Sequence, residues 1–227
     1  MKKTDILKKI DHTELRPNAT KDDYERLMRE ALTYGVASVC VPPNRVIFMK
    51  EQLPQSVRVC TVVGFPNGYN TLEIKAQEAK QAIACGADEI DMVINISAAA
   101  QLYPTEADLG AIKKEIQTLR QICCQPIILK VIIETCYLTE AQKVNLCYIL
   151  TESGVDYIKT STGFGPEGAT LADIELFRRY LGPNVKIKAA GGIATIEQAK
   201  AFLEAGCERI GSSKLVRLLA EVEGDEV

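Results

Sequence analysis

A regular alternation of two kinds of segment runs through this chain and limits the folds open to it. Short runs rich in β-branched residues alternate with longer segments whose apolar residues recur at helical spacing, and no linker interrupts the pattern in 227 residues. The predicted strands number eight, at 8–12, 36–41, 57–63, 88–94, 126–133, 155–160, 185–190 and 207–212. Helices between successive strands are typical of parallel sheets. We therefore expect one domain over residues 1–227.

Glycines recur where a predicted helix gives way to the next strand. Gly35, Gly86, Gly154 and Gly206 each occupy this place, and glycine suits the left-handed residue that ends a helix. Their spacing fits βα units of about 25 residues, with one longer insertion around 97–105. Eight such units predict a closed, single-domain (β/α)8 TIM barrel of the α/β class. An open doubly wound sheet is the alternative, although the chain lacks a G-x-G-x-x-G fingerprint.

Three predicted helices begin with the pattern of a capping box. Asn70, Thr139 and Thr195 are each followed three residues later by Glu or Gln, so that side chains satisfy the first free amides. The helix after Asn70 is predicted to pack on the sheet through an apolar face made of Leu72, Ala76, Ala79 and Ile83. Its charged residues, Lys75 among them, are expected to lie largely away from that face.

Composition narrows the classes of function. Apolar residues make up 47% of the chain and charged residues 25%, which predicts a folded core rather than disorder. A net charge of -3 gives no broad basic field, so we expect no nucleic-acid partner. Eight cysteines lack metal-ligand spacing and are expected to be reduced thiols. Without a long apolar run, the chain is expected to be cytoplasmic and to have no membrane partner.

Lysines lie inside strands that should be apolar. Lys130, Lys159 and Lys188 follow one another at intervals of 29 residues, one βα step apart, and Asp91 occupies the comparable place in an earlier strand. Parallel strands covered by helices are buried on both faces, so charges there need a reason. Neighbouring strands are predicted to present these lysines at similar height. The alternative is that they form structural ion pairs, or that the strand ends are misplaced and the lysines lie in loops.

Adjacent buried lysines suit one kind of chemistry. An amine beside other cations loses its proton more easily, and a neutral amine is a nucleophile near pH 7. In a pocket for aldehydes or ketones, it forms a Schiff base without a cofactor. The lysine pattern therefore predicts Schiff-base chemistry.

Glycine-rich segments follow the last three predicted strands. These are Thr160–Gly165, Ala190–Ile193 and Gly211–Ser213. In barrel enzymes, phosphate commonly lies on the loops after strands seven and eight, where backbone amides hold it. One glycine turn alone indicates only structure, but three at corresponding strand ends predict a phosphate ester.

Two other residues allow competing interpretations. His12 is the only histidine, and we expect a structural rather than a catalytic role for it. Cys40 ends a predicted strand within an apolar run, where core packing and a pocket wall are equally consistent with its position.

Several longer motifs carry a resemblance to a known family. The sequence resembles the deoxyribose-phosphate aldolases at Asp88–Asn95, Lys130–Thr135, Tyr157–Gly163 and Lys188–Ile193, and the likeness extends over nearly the whole chain. The resemblance implies a class I aldolase on a (β/α)8 barrel that needs neither a metal nor another cofactor. It implies a reversible cleavage of 2-deoxyribose 5-phosphate to acetaldehyde and glyceraldehyde 3-phosphate, in deoxyribose phosphate catabolism.

The same resemblance implies roles for individual residues. Lys159 matches the lysine that forms the Schiff base, Lys188 the lysine that lowers its pKa, and Asp91 the proton-relay aspartate. The substrate pocket is expected to include Asp11, Cys40, Lys130 and Thr160. The phosphate is expected at Gly163, Gly191, Gly192, Gly211, Ser212 and Ser213.

The chain departs from the family at several positions. Its last tyrosine is Tyr180, whereas some members use a C-terminal tyrosine in proton exchange. Ala194 replaces a basic residue, Lys214 replaces a glycine and Phe164 stands where other members have lysine. Weaker phosphate binding is therefore expected, with Lys214 as a candidate replacement contact.

Two further functions remain open at this point. A phosphosugar isomerase or epimerase on the same barrel predicts a carboxylate or histidine base and no covalent imine. A catalytically silent barrel that binds sugar phosphates or a regulatory partner predicts an unmodified Lys159. The expected ligands are a sugar phosphate and an aldehyde, and a homo-oligomer stays open.

Overall fold

The structure is a computed structural model that describes residues 1–101 and 104–227. Eight parallel strands form a closed barrel in chain order, and β8 pairs with β1 to complete it. The predicted TIM barrel is thereby confirmed. The strands are β1 (Ile10–Thr13), β2 (Ser38–Val41), β3 (Arg58–Val63), β4 (Glu89–Val93), β5 (Ile128–Ile132), β6 (Tyr157–Lys159), β7 (Lys186–Ala190) and β8 (Arg209–Ser212).

Helices surround the barrel and connect its strands. The helices of the described residues are α1 (Lys3–Leu7), α2 (Lys21–Tyr34), α3 (Val46–Gln52), α4 (Leu72–Ala84), α5 (Ile96–Ala99), α6 (Glu106–Ile122), α7 (Glu140–Glu152), α8 (Leu171–Tyr180), α9 (Ile196–Glu204) and α10 (Leu215–Glu221). Short 3₁₀ turns occur at Pro43–Arg45 and Thr135–Tyr137. The predicted insertion around 97–105 includes part of α5, while its residues 102 and 103 lie outside the described residues.

Every predicted strand exists, although each is shorter than predicted. The paired part of β5 begins at Ile128, two residues after Pro126, and β6 contains only Tyr157–Lys159. Apolar residues continue into the turns that flank each strand, so composition alone does not mark where pairing begins. Proline also has no backbone N–H to donate to a neighbouring strand.

Two of the three capping boxes are confirmed and one is wrong. The Thr139 and Thr195 side chains accept hydrogen bonds from the amides of Gln142 and Gln198. Helix α4 instead begins after Thr71, with no side-chain hydrogen bond at its cap. The Asn70 side chain is one residue too early to cap it. The four glycines before strands all have positive φ, as their placement predicted.

Lys75 corrects the prediction for the α4 surface, because it is fully buried. Its Nζ donates to the Val93 carbonyl oxygen at 2.7 Å and to Glu115 Oε1 at 2.6 Å. Of the predicted apolar face, Ala79 is buried and the other three residues are half-buried. The helical periodicity predicts that a lysine at this position is exposed. Periodicity contains no information about a glutamate partner on α6.

The apolar core has two parts. Most of it fills the space between the strands and the helices, while a small cluster of Cys40, Cys60 and Val62 lies apart from it. No helix within the described ranges is long and apolar enough to cross a membrane.

Candidate active site

Three lysines converge on one aspartate inside the barrel. Asp91, on β4, accepts hydrogen bonds at Oδ2 from Lys159 Nζ and Lys188 Nζ, each at 2.7 Å. Its Oδ1 accepts from Lys130 Nζ, also at 2.7 Å. Asp91, Lys130 and Lys188 are fully buried, and Lys159 is 3% exposed. The predicted meeting of these residues is confirmed, and the alternative that the lysines lie in exposed loops is wrong.

Strand register agrees with only part of the predicted arrangement. Lys159 on β6 pairs directly with Lys188 on β7, as expected. Lys130 pairs with Tyr157, two residues before Lys159, so it does not share their register. Its side chain reaches Asp91 because Asp91 and Lys130 are themselves paired residues on β4 and β5.

Further charged groups lie next to Asp91. Lys188 Nζ is 2.5 Å from Asp11 Oδ2, and Lys130 Nζ is 2.6 Å from Glu89 Oε2. Arg209 Nη1 contacts both carboxylates, at 2.5 Å from Asp11 Oδ1 and 3.2 Å from Glu89 Oε2. The resulting charge cluster comprises Asp11, Glu89, Asp91, Lys130, Lys159, Lys188 and Arg209. These are four cations and three carboxylates, so positive charge is in excess.

The charge cluster moves the pKa of its members away from ordinary values. Burial opposes ionisation of Asp91, but Lys130, Lys159 and Lys188 outweigh it and hold the pKa of this carboxyl well below its usual range. Burial likewise opposes the charge on Lys188, but Asp11 and Asp91 outweigh it and raise its pKa. Lys188 therefore stays protonated as a fixed cation beside Lys159.

Sequence reasoning did not identify Glu89 and Arg209. Glu89 precedes Asp91 by two residues on β4, and alternate residues of a strand share one face, so its position was a usable signal. Arg209 lies at the start of β8. Its side chain can be assigned to the interior only once the barrel is known to close.

Two thiols lie beside the charge cluster. Cys60 Sγ donates to Asp91 Oδ1 at 3.1 Å, and the ligand atoms of Cys40, Cys60 and Asp91 lie within 4.8 Å of one another. Two thiolates and a carboxylate are a ligand set that zinc accepts. The Lys130 ammonium is already 2.7 Å from Asp91 Oδ1 and 3.3 Å from Cys60 Sγ, which is unfavourable for a second cation. The neighbouring Cys60 side chain lowers the pKa of Cys40, against the effect of burial.

A cavity of about 390 Å³ opens above Lys159 at the carboxyl ends of the strands. The residues that line it include every predicted phosphate position: Gly163, Gly191, Gly192, Gly211, Ser212 and Ser213. The predicted amine and the predicted phosphate loops thus share one cavity. Six other predicted site residues are buried and do not line it, namely Asp11, Cys40, Asp91, Lys130, Thr160 and Lys188.

Thr160 has a different environment from the predicted one. Its Oγ1 donates to the Ala190 carbonyl oxygen and accepts from the Ala190 amide, each at 3.1 Å. The side chain is fully buried and does not line the cavity. Its hydroxyl therefore connects the carboxyl ends of β6 and β7.

The glycine loops pack against one another at backbone level. Gly163 and Gly191 have φ of 85° and 81°, in the left-handed region that favours glycine. A Cβ at Gly191 would lie 3.1 Å from Gly168 Cα and 3.4 Å from Gly163 Cα. A larger residue at this position would separate the loops that form the cavity wall.

The family departures also occur at the cavity. Phe164, Ala194 and Lys214 all line it. Phe164 is half-exposed and packs edge-to-face on Phe65 at a centroid distance of 5.3 Å. Lys214 is exposed, so its ammonium is free to approach a bound anion.

The last residues of the chain contact its first residues. The Val227 amide donates to the Met1 carbonyl oxygen at 3.2 Å, and Lys2 and Glu226 form a β-bridge. Because α1 leads into the amino end of β1, this contact lies at the end of the barrel opposite the cavity. His12 also lies away from the charge cluster, with Nε2 2.6 Å from Glu30 Oε2 on α2, which agrees with its expected structural role.

A closed barrel with buried lysines on one aspartate, beneath a glycine-lined cavity, defines an α/β-barrel enzyme that handles small polar substrates. The chain belongs to the DeoC/LacD family of aldolases, whose profile matches residues 6–211.

Known relatives agree with this assignment. The chain is 49% identical over 219 residues to a deoxyribose-phosphate aldolase of Clostridium botulinum strain Alaska E43, with 96% of each covered. It is 48% identical to a deoxyribose-phosphate aldolase of Thermococcus gammatolerans, with 95% of each covered. Among solved structures, a putative deoxyribose-phosphate aldolase from Coccidioides immitis has a TM-score of 0.89 at 36% identity, covering 96% of this chain and 85% of that one. The tetrameric deoxyribose phosphate aldolase from Aeropyrum pernix has a TM-score of 0.86 at 28% identity, covering 96% and 91%.

Proposed function

We propose that this protein is a class I aldolase that reversibly cleaves 2-deoxyribose 5-phosphate to acetaldehyde and glyceraldehyde 3-phosphate. The observation that carries the proposal is the position of Lys159. It is the one lysine of the charge cluster that lines the cavity, and it shares an oxygen of Asp91 with Lys188. The substrate is proposed from the similar proteins, which are named deoxyribose-phosphate aldolases.

Formation of the imine needs a neutral amine and a route for protons. Lys159 donates a hydrogen bond to Asp91 Oδ2, so this carboxylate is placed to take its proton. The neutral amine then adds to the substrate carbonyl carbon. The oxygen receives one proton from the adduct nitrogen and one that Lys188 passes on and regains from Asp91, so water leaves and Lys188 ends protonated. The pKa of Asp91 lies well below its usual range, so the carboxylate passes a proton on rather than keeping it.

Cleavage follows from the charge of the iminium. The positive nitrogen accepts the electron pair of the breaking carbon–carbon bond, while Asp91, ionised again after water has left, takes the proton of the neighbouring hydroxyl, which becomes the aldehyde of glyceraldehyde 3-phosphate. The enamine left on Lys159 takes this proton up at carbon, and water then releases acetaldehyde. Lys188 stays charged next to these steps because Asp11 and Asp91 raise its pKa against the effect of burial.

The phosphate end is assigned to the glycine loops. Gly163, Gly191, Gly192 and the segment Gly211–Ser213 line the same cavity as Lys159. Amides aimed at a phosphate fix the orientation of the sugar over the amine. Lys214 adds a positive charge there.

The remaining predicted pocket residues are assigned to supporting roles. Asp11 and Lys130 contact Lys188 and Asp91 rather than the cavity, so they act on substrate through these residues. Cys40 belongs to the small buried cluster against which Leu15 packs, and Leu15 lines the cavity. Thr160 holds the ends of β6 and β7 together.

Covalent trapping tests the proposal. We would incubate the protein with acetaldehyde or 2-deoxyribose 5-phosphate plus borohydride, and measure intact mass and the modified peptide. An adduct at Lys159, lost in Lys159→Ala and unchanged in the exposed-lysine control Lys114→Ala, is the expected result. No adduct despite phosphate-ligand binding would contradict the mechanism and favour an isomerase or a regulatory barrel.

The compartment and assembly are inferred from the thiols and from one relative. All eight cysteines are free, which suits a reducing compartment such as the cytoplasm. The Aeropyrum pernix aldolase is described as tetrameric, and a homo-oligomer is proposed here on that likeness. Light scattering would contradict it by returning the mass of one 24.9 kDa chain.

A further inference from the structure

A buried glutamate at the end of β5 contacts the loop that follows β6. Glu134 is 2% exposed, and its carboxylate oxygens accept the Thr162 amide at 3.1 and 3.3 Å. The Thr162 hydroxyl also donates to Glu134 Oε2 and accepts from the Phe164 amide at 3.0 Å. The hydrogen-bonded chain from Glu134 through Thr162 to Phe164 therefore fixes the loop that contains Gly163.

The backbone of Glu134 is in a conformation that residues other than glycine rarely adopt. Its φ of 52° and ψ of 69° are left-handed, and it is the one non-glycine residue of the described ranges with positive φ. Hydrogen bonds on both sides keep it there, from the Ile133 amide to Lys159 and from the Thr135 amide to Thr160, at 3.1 and 3.0 Å. Strain held by surrounding contacts is typical of functional positions.

The hydrogen-bond pattern needs a carboxylate rather than an amide. A carboxylate only accepts, so it takes both the N–H and the O–H of Thr162. Glutamine would present an NH₂ group to one of these donors. The Thr162 hydroxyl already accepts the Phe164 amide, and its hydrogen would lose an acceptor within a buried site.

We propose that Glu134 is a positioning residue for the substrate phosphate, which makes the preference for phosphorylated substrates depend on it. Glu134 does not line the cavity above Lys159 but a neighbouring one of about 380 Å³, so it acts through Thr162 and Gly163. Gly163 packs against Gly191, and movement of the first loop would therefore displace the second. This inference rests on the proposed function, because it assigns the glycine loops to phosphate.

The experiment compares Glu134→Gln, Thr162→Val and the double variant with Glu140→Gln, a control at an exposed glutamate of α7. Calorimetry with inorganic phosphate gives Kd, and steady-state kinetics give kcat and KM for 2-deoxyribose 5-phosphate and for unphosphorylated 2-deoxyribose. We expect Kd and the KM for the phosphorylated substrate to rise about tenfold in Glu134→Gln. We expect a much smaller change for 2-deoxyribose, and a double variant no worse than the weaker-binding single variant.

Several outcomes would overturn the proposal. Equal losses for both substrates would mean that Glu134 only supports the fold, and additive effects of the two variants would mean that it does not act through Thr162. Tighter phosphate binding in Glu134→Gln would show that the residue acts only through its negative charge. If Glu134→Gln does not fold, Thr162→Val and Thr162→Ser test the same contact, with Thr162→Ser expected to retain phosphate affinity. Phosphate binding needs no turnover, so its result stands even if the aldolase proposal fails.

Discussion

Lys159 and Lys188 are paired residues on neighbouring strands, and their ammonium groups donate to the same oxygen of Asp91 at 2.7 Å each. Two positive groups on one oxygen repel each other, and this cost is relieved when Lys159 becomes neutral or its nitrogen becomes part of an imine. Lys188 has a second carboxylate, Asp11, whereas the described ion pairs of Lys159 involve Asp91 alone. Among the described ion pairs, Lys188 therefore has one more carboxylate partner than Lys159.

Removal of the fixed cation is expected to slow imine formation without abolishing it. In Lys188→Met, the loss of a positioned acid and of like charge should lower the rate of borohydride-trapped adduct at Lys159 by about 100-fold. Quenched-flow mass spectrometry of the acetaldehyde reaction measures this rate. Trapping at the wild-type rate would assign proton transfer to other groups.

Asp91→Asn is expected to destabilise the barrel as well as inactivate it. Three ammonium groups would lose their shared carboxylate in a buried site, and breaking one buried ion pair typically costs about 3–5 kcal/mol. Urea unfolding measures the change in the free energy of unfolding. A change below about 1 kcal/mol would show that the lysines neutralise or find water.

The loss of folding stability at low pH should depend on Asp11. Burial opposes its ionisation, but Lys188, Lys130 and Arg209 outweigh it and lower its pKa in the folded state. The unfolded chain therefore binds a proton more readily, so this stabilisation is complete above about pH 4 and is lost as pH falls further. In Asp11→Asn, stability should be lower at pH 7 and decline less steeply below about pH 4. Melting temperatures measured against pH test this. If those of the wild type and of Asp11→Asn fell by the same amount across that range, this assignment would be contradicted.

The buried pair of Lys75 and Glu115 should be coupled. Glu115 also accepts the Asn95 amide at 3.0 Å, so it connects α6 to the end of β4. Lys75→Met or Glu115→Gln alone should cost about 3–5 kcal/mol of unfolding free energy, because each leaves a buried charge unpaired. The double variant should cost less than the sum of the two, as a thermodynamic cycle from denaturant unfolding would show. Additive losses would mean that the two side chains are independent.

The departures at the cavity predict opposite effects on phosphate affinity. Lys214→Ala should raise the KM for 2-deoxyribose 5-phosphate a few-fold by removing an exposed positive charge, and Phe164→Lys should lower it by a similar factor. Both effects should shrink with added salt. Kinetics at two ionic strengths test this, with 2-deoxyribose as the matched control. Equal changes for both substrates would show that neither side chain acts on the phosphate.

The order of strands and helices could be read from the sequence because it is local. Each βα unit carries its own periodicity, and glycines mark the transitions. The lysines were visible because charge inside an apolar strand is anomalous. Lys75 was misplaced because a lysine on an amphipathic helix is ordinarily exposed. The helical pattern contains no information about Glu115, its partner 40 residues later in the chain.

Local patterns in the sequence predict eight parallel strands and place Asp91, Lys130, Lys159 and Lys188 on four of them. The fold then brings the three lysines to one carboxylate, over separations of 39, 68 and 97 residues. It also decided that Glu89 and Arg209 join them and that Glu134 turns towards Thr162. Strand propensity is a property of neighbouring residues, whereas register and closure depend on pairing between strands distant in sequence.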